Sequence, residues 1–543
     1  MNFDQALRSH RRPLRITTSS EMRELDRQAD QEFGLDAATL MENAGKAAAQ
    51  IILEHYPRAG FDSEIVVFAG KGNNAGDAFV VARHLLCADR RVRVFHLETE
   101  AGYRGATLKN FKILKLLKSK LIHLDNPSEL QEFFASRSGP YTIVDGILGT
   151  GLTRDLEGIF YDIVEMINAT ADDKSEVISL DIPSGVSGDS GAIHGTSIQA
   201  SLTISFGYPK LGHFLPPGAS RRGQLVNVDI SLPPRFRREG DRFLLTKAPL
   251  GMLLKERDRY GHKNSFGHTL LLGGSPGRLG AITMAARACH KMGTGLVTAS
   301  TWDDGFDALM NKLPAETMSV PIRLSGPEYE NYRRSLNSYT SLIVGPGLGL
   351  RPEGKQLLGE IISHYEGPLV LDADALNLVA DHGLHEMIAK RRAPTVLTPH
   401  PGEMARLLGI PKDDVLADPC RAVRKAVAQT HAIVLLKGAA TLINSPDDKL
   451  YLNHYPNDGM ATAGSGDVLS GMIGGLLGQK MDPFQATLLG VYLHSLAGDF
   501  AAKQQGHRSM TAQDIIENIG NAFKDMGETP TQNAPLESSA WLR

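Results

Sequence analysis

The chain has 543 residues, more than one hydrophobic core usually serves at about 100–200 residues per domain, so two large domains or three modest ones are expected. A hydrophobic fraction of 42% and a charged fraction of 22% exclude wholesale disorder. Lys+Arg 58 against Asp+Glu 61 leaves a net charge of −3, which supplies no broad basic field for nucleic acid or an anionic membrane.

The first residues, MNFDQALRSHRRPLR, carry basic side chains but no apolar stretch of the secretory kind, and residues 1–15 read as a loose polar arm. A helical pattern starts at Ser20 and runs to Phe33, and a second covers 37–55, including MENAG (41–45). Then short apolar runs end in Gly- or Asp-containing turns: 64–74, 91–98, 141–151, 176–185 and 201–210. Runs that are apolar throughout suit strands covered on both faces, and helix-length stretches at 76–89, 104–118 and 156–168 separate them. This alternation predicts a doubly wound α/β domain.

Residues 229–265 carry a Pro pair and dense charge and read as the connection between domains. Beyond them the rhythm restarts with strands in 268–281, 296–301, 341–349, 368–376, 394–403 and 432–441. A glycine-punctuated helix start (457–478) and a helical region to about Lys524 follow, with 527–543 as a tail. The expected division is 16–235 and 236–526. No run of about 18 apolar residues predicts a membrane helix, and no fixed-period repeat predicts a solenoid. Cys87, Cys289 and Cys420 lie far apart without metal-ligand spacing, so neither a disulfide framework nor structural zinc is expected.

Ligands of open α/β sheets bind beyond the carboxyl ends of the strands, and most of the unusual polar residues fall there. Glycine lets a phosphate approach the backbone, and exposed N–H groups at a helix start favour anions. No GxxxxGK[ST] occurs, which disfavours a Walker-A NTPase, and GPGLGL (345–350) is only a fragment of a dinucleotide fingerprint. GGSPG (273–277) matches a hydrolase nucleophile elbow, but the residue after the serine is Pro276, which has no N–H for an oxyanion hole.

GKGNNAGDAFVVARHL (70–85) is more specific. Asn73 and Asn74 offer carbonyl oxygens to a cation or N–H groups to phosphate, and Asp77 is placed to cap the helix. Asp145 and Asp181 fall at the ends of later strands of the same sheet. Backbone carbonyls, one carboxylate and one amide make an oxygen cage for a hard monovalent cation. Asp181, ahead of Pro183, Ser184 and Gly185, is either a general base or a capping aspartate.

Taken together, MENAG (41–45), GKGNNAGD (70–77), DGILGTGL (145–152) and DIPSG (181–185) resemble the epimerase domain of the bifunctional NAD(P)H-hydrate repair enzymes. GGSPGRLGA (273–281), GPGLG (345–349), DADALN (372–377), TPHPGE (398–403), KGAAT (437–441) and NDGMATAGSGDVLSG (457–471) are similar to that family's ADP/ATP-dependent dehydratase domain, which is ribokinase-like. The motifs occur in the family's order over roughly residues 20–525. The resemblance implies two α/β domains, Rossmann-like then ribokinase-like. It implies repair of nicotinamide cofactors hydrated at ring position 6: interconversion of the R and S hydrates, then dehydration of the S form at the expense of ADP or ATP.

The same resemblance implies the site residues. In the first domain Asn73, Asn74, Ala75, Gly76 and Asp77, with Gly149, Thr150, Gly151, Leu152, Thr153, Arg154 and Asp155, would bind the hydrate. Asn74, Asp145 and Ser184 would hold K+, and Asp181 would be the acid/base group. In the second, Gly464, Ser465 and Gly466 would form an anion hole and Asp467 would take a proton from the substrate hydroxyl. Lys437, Gly438, Ala439, Ala440 and Thr441 would cradle the nucleotide, with Mg2+ accompanying it. Ala281, Gly347 and His400 would contact the hydrate. A cytoplasmic homo-oligomer, without nucleic-acid or membrane partners, is expected.

Ala75 and Ala78 depart from the family's usual GNNGGDG, and Asp458 stands where Pro is common; each matters if it needs positive φ or faces the ligand. The competing readings are a ribokinase-type small-molecule kinase fused to an unrelated α/β domain, and a nucleotide sensor with degenerate sites.

Overall fold

The structure, a computed structural model, describes residues 14–136, 140–170, 175–254 and 256–528. Most of the expected arm and tail, residues 1–13 and 529–543, lie outside them. The chain divides into two compact units between Arg242 and Phe243.

In the N-terminal unit seven strands form one all-parallel sheet, in the order Lys120–His123, Val92–His96, Glu64–Ala69, Tyr141–Gly146, Glu176–Leu180, Leu202–Phe206, Gln224–Val228. The reason is visible in strand Glu64–Ala69. Ile65, Val67 and Ala69 point into one buried cluster, with helices Ala37–His55 and Asn73–Cys87. Val66 and Phe68 point into a second, with helix Ile159–Thr170. A period of two with both faces apolar demands helices above and below. Chain order reverses between Glu64–Ala69 and Tyr141–Gly146, so the crevice of a doubly wound sheet opens beyond the carboxyl ends of these neighbours.

The C-terminal unit repeats the principle. Its parallel strands run in the order Ile433–Leu436, Thr395–Leu397, Leu369–Leu371, Ser341–Val344, His268–Leu272, Leu296–Thr301, Met318–Pro321. Strands Ala440–Asn444 and Leu450–His454 continue the sheet antiparallel beyond Ile433–Leu436. Helix Ser465–Gly478 is apolar nearly all round and buried. Its glycines let it press close: a Cβ on Gly471 would sit 2.2 Å from the carbonyl oxygen of Ala285.

The segment 229–265 is more structured than a plain connection. Phe236 and Leu250 are fully buried, each within its own unit, because their apolar area outweighs the charge around them. Among the described residues no helix is long and apolar enough to cross a membrane.

Candidate active sites

Strands Glu64–Ala69 and Tyr141–Gly146 pair in register, so the loops that follow them emerge side by side. Gly70 permits this: a Cβ there would lie 1.8 Å from the Ile147 carbonyl oxygen. Helix Asn73–Cys87 starts at once, with Gly72 as its cap and no side chain covering its first N–H groups. Asp77 is therefore not the helix cap; it sits one turn inside, because the glycine turn ends before Asn73.

A cavity of about 610 Å³ opens here. Asn73, Asn74, Asp77, the loop from Gly149 to Arg154, and Asp181 line it. Ala75 and Gly76 lie buried behind the wall: Ala75 packs into the core, and a Cβ on Gly76 would meet Met41 and Thr107. Asp155 is not among the lining residues and pairs with His194 at 3.5 Å. Neither Ala75 nor Ala78 has positive φ, since both lie within the helix. Ala78 packs against Gly146, so its methyl is part of the core.

Asp181 has φ +63, a left-handed conformation an aspartate tolerates at some cost. Its Oδ1 accepts from the buried Lys210 ammonium and from the Phe206 N–H at 3.1 Å. Its carbonyl accepts from His213 Nε2 at 2.9 Å, while His213 Nδ1 accepts the Lys210 N–H at 3.0 Å. Burial, with Lys210 nearby, pushes His213 well below its ordinary range, so the ring is a neutral brace of fixed tautomer. Burial and then Asp181 and Asp26 push Asp77 well up. Lys210, His213 and Asp26 escaped the sequence reading. The available signal was a lysine just beyond the carboxyl end of strand Leu202–Phe206.

Asn74, Asp145 and Ser184 converge beside this cavity. Asp145 is fully buried and accepts from Ser184 N at 2.9 Å, Ser179 Oγ at 2.8 Å and Ile147 N at 3.2 Å, and from the Ser184 hydroxyl. Burial pushes its carboxyl up, against these donors. Asn74 Nδ2 donates to the Leu148 carbonyl at 2.9 Å, leaving Asn74 Oδ1 buried with no hydrogen-bond partner. An orphaned amide oxygen among hydroxyl, carboxylate and carbonyl oxygens is a donor set suited to a hard monovalent cation.

In the C-terminal unit the strand ends place Asp372, His400 and Lys437 along one edge. Lys437 Nζ donates to Asp372 Oδ1 at 2.8 Å and lies 3.8 Å from Glu403. Burial opposes the charge on both Asp372 and Lys437, but each holds the other ionised, with Ser470 donating to the second Asp372 oxygen. Helix Ser465–Gly478 begins at Gly464, φ +91, with no side-chain cap. A Cβ on Gly466 would come 3.2 Å from Lys437 Nζ, so the uncapped helix start and the ammonium face one spot.

Asp467 stands in that first turn. Burial, then the charge of Asp372, push it up to about 7, with Lys437 pulling the other way. A carboxyl group of raised proton affinity beside an uncapped helix start suits proton transfer. Ser465 Oγ lies 3.4 Å from His494 Nε2, and burial takes that imidazole down to about 4.

His400 caps helix Pro401–Leu408, its Nδ1 accepting from Gly402 N at 3.0 Å and Glu403 N at 3.3 Å. Burial and Lys437 keep the ring neutral, so Nε2–H, 3.5 Å from Glu403 Oε1, is its donor. Gly347, φ +64, has its Cβ direction 3.2 Å from the Ala281 methyl, which puts those two side by side. Gly438 and Ala439 are exposed, Ala440 is half-buried, and the Thr441 hydroxyl donates to the Gly438 carbonyl at 3.2 Å. Asp458 is exposed and paired with His507 Nδ1 at 2.6 Å. Asp372 and Glu403 were present in quoted motifs, but their convergence on Lys437 requires the fold.

Residues 269–521 match the family model for NAD(P)H-hydrate dehydratase, and residues 37–212 match that for the YjeF-related protein N-terminus. The bifunctional NAD(P)H-hydrate repair enzyme Nnr of Moorella thermoacetica is 39% identical over 521 residues, covering 94% of this chain and 97% of that protein. The chain belongs to the bifunctional NAD(P)H-hydrate repair enzyme family. The relatives of that name in Coxiella burnetii and Escherichia coli are 35% and 31% identical, each over more than nine-tenths of its own length. A solved structure, the ADP/ATP-dependent NAD(P)H-hydrate dehydratase from Bacillus subtilis co-crystallized with ATP/Mg2+, is 27% identical with a TM-score of 0.45, covering 52% of this chain and 97% of that one. A kinase fused to an unrelated α/β domain is set aside, because single alignments to repair-family relatives run through both halves.

Proposed function

We propose that the N-terminal unit interconverts the R and S hydrates of NADH and NADPH, and that the C-terminal unit dehydrates the S form with ADP or ATP. The observation that carries the reading is Asp467, a carboxylate titrating near neutrality in the first turn of an uncapped helix, beside Lys437.

In the C-terminal unit Asp467 takes the proton of the ring hydroxyl as that oxygen attacks the terminal phosphoryl of the nucleotide. ADP leaves AMP, and the N–H groups of Gly464, Ser465 and Gly466 receive the transferring charge. Lys437 balances the nucleotide phosphates, while the KGAAT turn supplies backbone N–H groups and the Thr441 hydroxyl. The ring phosphate then departs as the proton on the neighbouring ring carbon is lost, which restores the conjugated dihydropyridine. His400 offers Nε2–H to the hydrate, and Ala281 and Gly347 leave room for it. Mg2+ would offset phosphate charge.

In the N-terminal unit the start of helix Asn73–Cys87 and the Gly149–Asp155 loop would hold the cofactor's phosphates and ribose. Ala75 and Gly76 would serve through their backbone, and Asp155 from the far end of its loop. Asp181 is the acid/base group. K+ would be held by Asn74, Asp145 and Ser184, where it would fix the two loops electrostatically. A cytoplasmic homo-oligomer belongs to the same reading.

The deciding experiment supplies mixed hydrates, Mg2+ and ADP, and follows reduced-cofactor absorbance. Recovery of the whole pool supports both halves; no recovery with ADP present sinks the proposal.

A further inference from the structure

The N-terminal cavity holds a carboxyl group that this scheme leaves unused. Asp26, on helix Ser19–Phe33, lines it together with Asp77, Asp181 and Lys210. Asp26 Oδ1 is buried without any hydrogen-bond partner. Leaving an ionised oxygen in that state is costly, whereas a protonated carboxyl tolerates it. The nearby ammonium does not satisfy it: Lys210 Nζ donates to Asp181 Oδ1 and to the Phe206 carbonyl at 3.0 Å, and Asp26 Oδ1 receives no hydrogen bond. Burial accordingly pushes Asp26 up to about 6, with Lys210 opposing and Asp181 adding to the rise. Two carboxyl groups in unlike surroundings therefore face one cavity: Asp181, ion-paired with Lys210, and Asp26, whose Oδ1 has no partner.

Resting on the reading of this cavity as the epimerase site, we infer that Asp26 is its second acid/base group, the proton-donating partner of the Lys210-held Asp181. Inversion at a carbon bearing both a hydroxyl and a ring nitrogen is served by such a pair. The bond from ring carbon 6 to oxygen breaks, and its electron pair leaves with the oxygen. That oxygen takes the Asp26 proton and departs as water. The nitrogen lone pair forms a carbon–nitrogen double bond, giving an iminium ion. Water then adds to the other face of carbon 6; its oxygen forms the new bond, the double-bond pair returns to nitrogen, and the surplus proton passes to Asp181. The net change is inversion plus transfer of one proton from Asp26 to Asp181. Asp77, which lines the same cavity and feels the charge of both carboxyls, offers the return route. Lys210 is a positioning residue that holds the Asp181 carboxyl in place through their ion pair.

The test uses the full chain as wild type, Asp26→Asn, Asp26→Glu and Asp181→Asn. Epimerisation of the R hydrate is followed in water enriched in oxygen-18, and dehydration of the S hydrate with ADP serves as a control in the other unit. Asp26→Asn should lower epimerase kcat by about 100-fold or more, with KM within about threefold. Asp26→Glu should restore part of that loss, and dehydration should be unaffected. Wild type should take up one solvent oxygen per inversion. Epimerase kcat in Asp26→Asn within about threefold of wild type, or inversion without label uptake, overturns the inference. A loss in Asp26→Asn with no recovery in Asp26→Glu and a parallel rise in KM overturns it too, as a packing role. Failure of wild type to epimerise, or an unimpaired Asp181→Asn, instead brings down the reading of the cavity itself.

Discussion

Replacing Asp467 with Asn tests the C-terminal site through stability and activity at once. In the folded chain this carboxyl is pushed from an ordinary 3.8 to about 7 by burial and by Asp372, against the pull of Lys437. At 1.36 kcal/mol per tenfold change in proton affinity, that gap is an upper bound of roughly 4 kcal/mol. The folded carboxyl binds its proton more tightly than the unfolded one. Its contribution is therefore intact below about pH 4 and is lost as pH rises through about 7. Asn mimics the protonated form, so the variant should match wild type at pH 4 and exceed it above pH 7. After water and side-chain relaxation the expected gain is about 1–3 kcal/mol. Calorimetry should then show the C-terminal unit melting about 2–6 °C higher at pH 8. Dehydration with ADP should fall by about 100-fold or more, with epimerase activity intact. A variant less stable than wild type at pH 8, or one that dehydrates at the normal rate, refutes the argument.

Removing the charge at position 437 has the opposite sign. Lys437→Met strands the fully buried Asp372 carboxylate, so unfolding measurements should show a loss of about 3–5 kcal/mol, together with weaker nucleotide binding by calorimetric titration. Ser184→Ala removes a hydroxyl that bridges Asp145 and the Leu148 carbonyl; potassium dependence of epimerisation should shift to higher concentration while dehydration is unchanged. Gly70→Ala drives a methyl into the Ile147 carbonyl and should destabilise the N-terminal unit by about 1–3 kcal/mol or more, read by its melting temperature. Asp458→Ala, at an exposed carboxylate already held by His507, should leave the KM for nucleotide unaltered in steady-state assays.

From Ile65 to Ala69 the strand that begins at Glu64 is apolar without a break, a pattern that calls for a sheet with helices on both faces. The glycine turns at 70–72 and 345–349 were likewise readable, because each depends on neighbours a few residues away. GSGD and TPHPGE were instead reached through the family resemblance, and the missing cap of one and the histidine cap of the other came from the structure. The Asn74–Asp145–Ser184 set was reached by resemblance; the sequence held no distance among them, and Asn74 Oδ1 standing unpaired is a fact of folding. Asp77 was misread as a cap because one turn of helix, not composition, separates a capping aspartate from one buried inside.

What tertiary structure alone decided is the state of the ionisable groups. Lys210 is 29 positions from Asp181 and Lys437 is 65 from Asp372, and only the parallel sheet brings such strand ends together. Whether Asp26 and Asp467 carry a proton near neutrality depends on burial and on the charges the fold gathers around them. Chain order leaves those quantities open because electrostatic energy follows distance through space and the water excluded between charges, neither of which is a property of neighbouring residues.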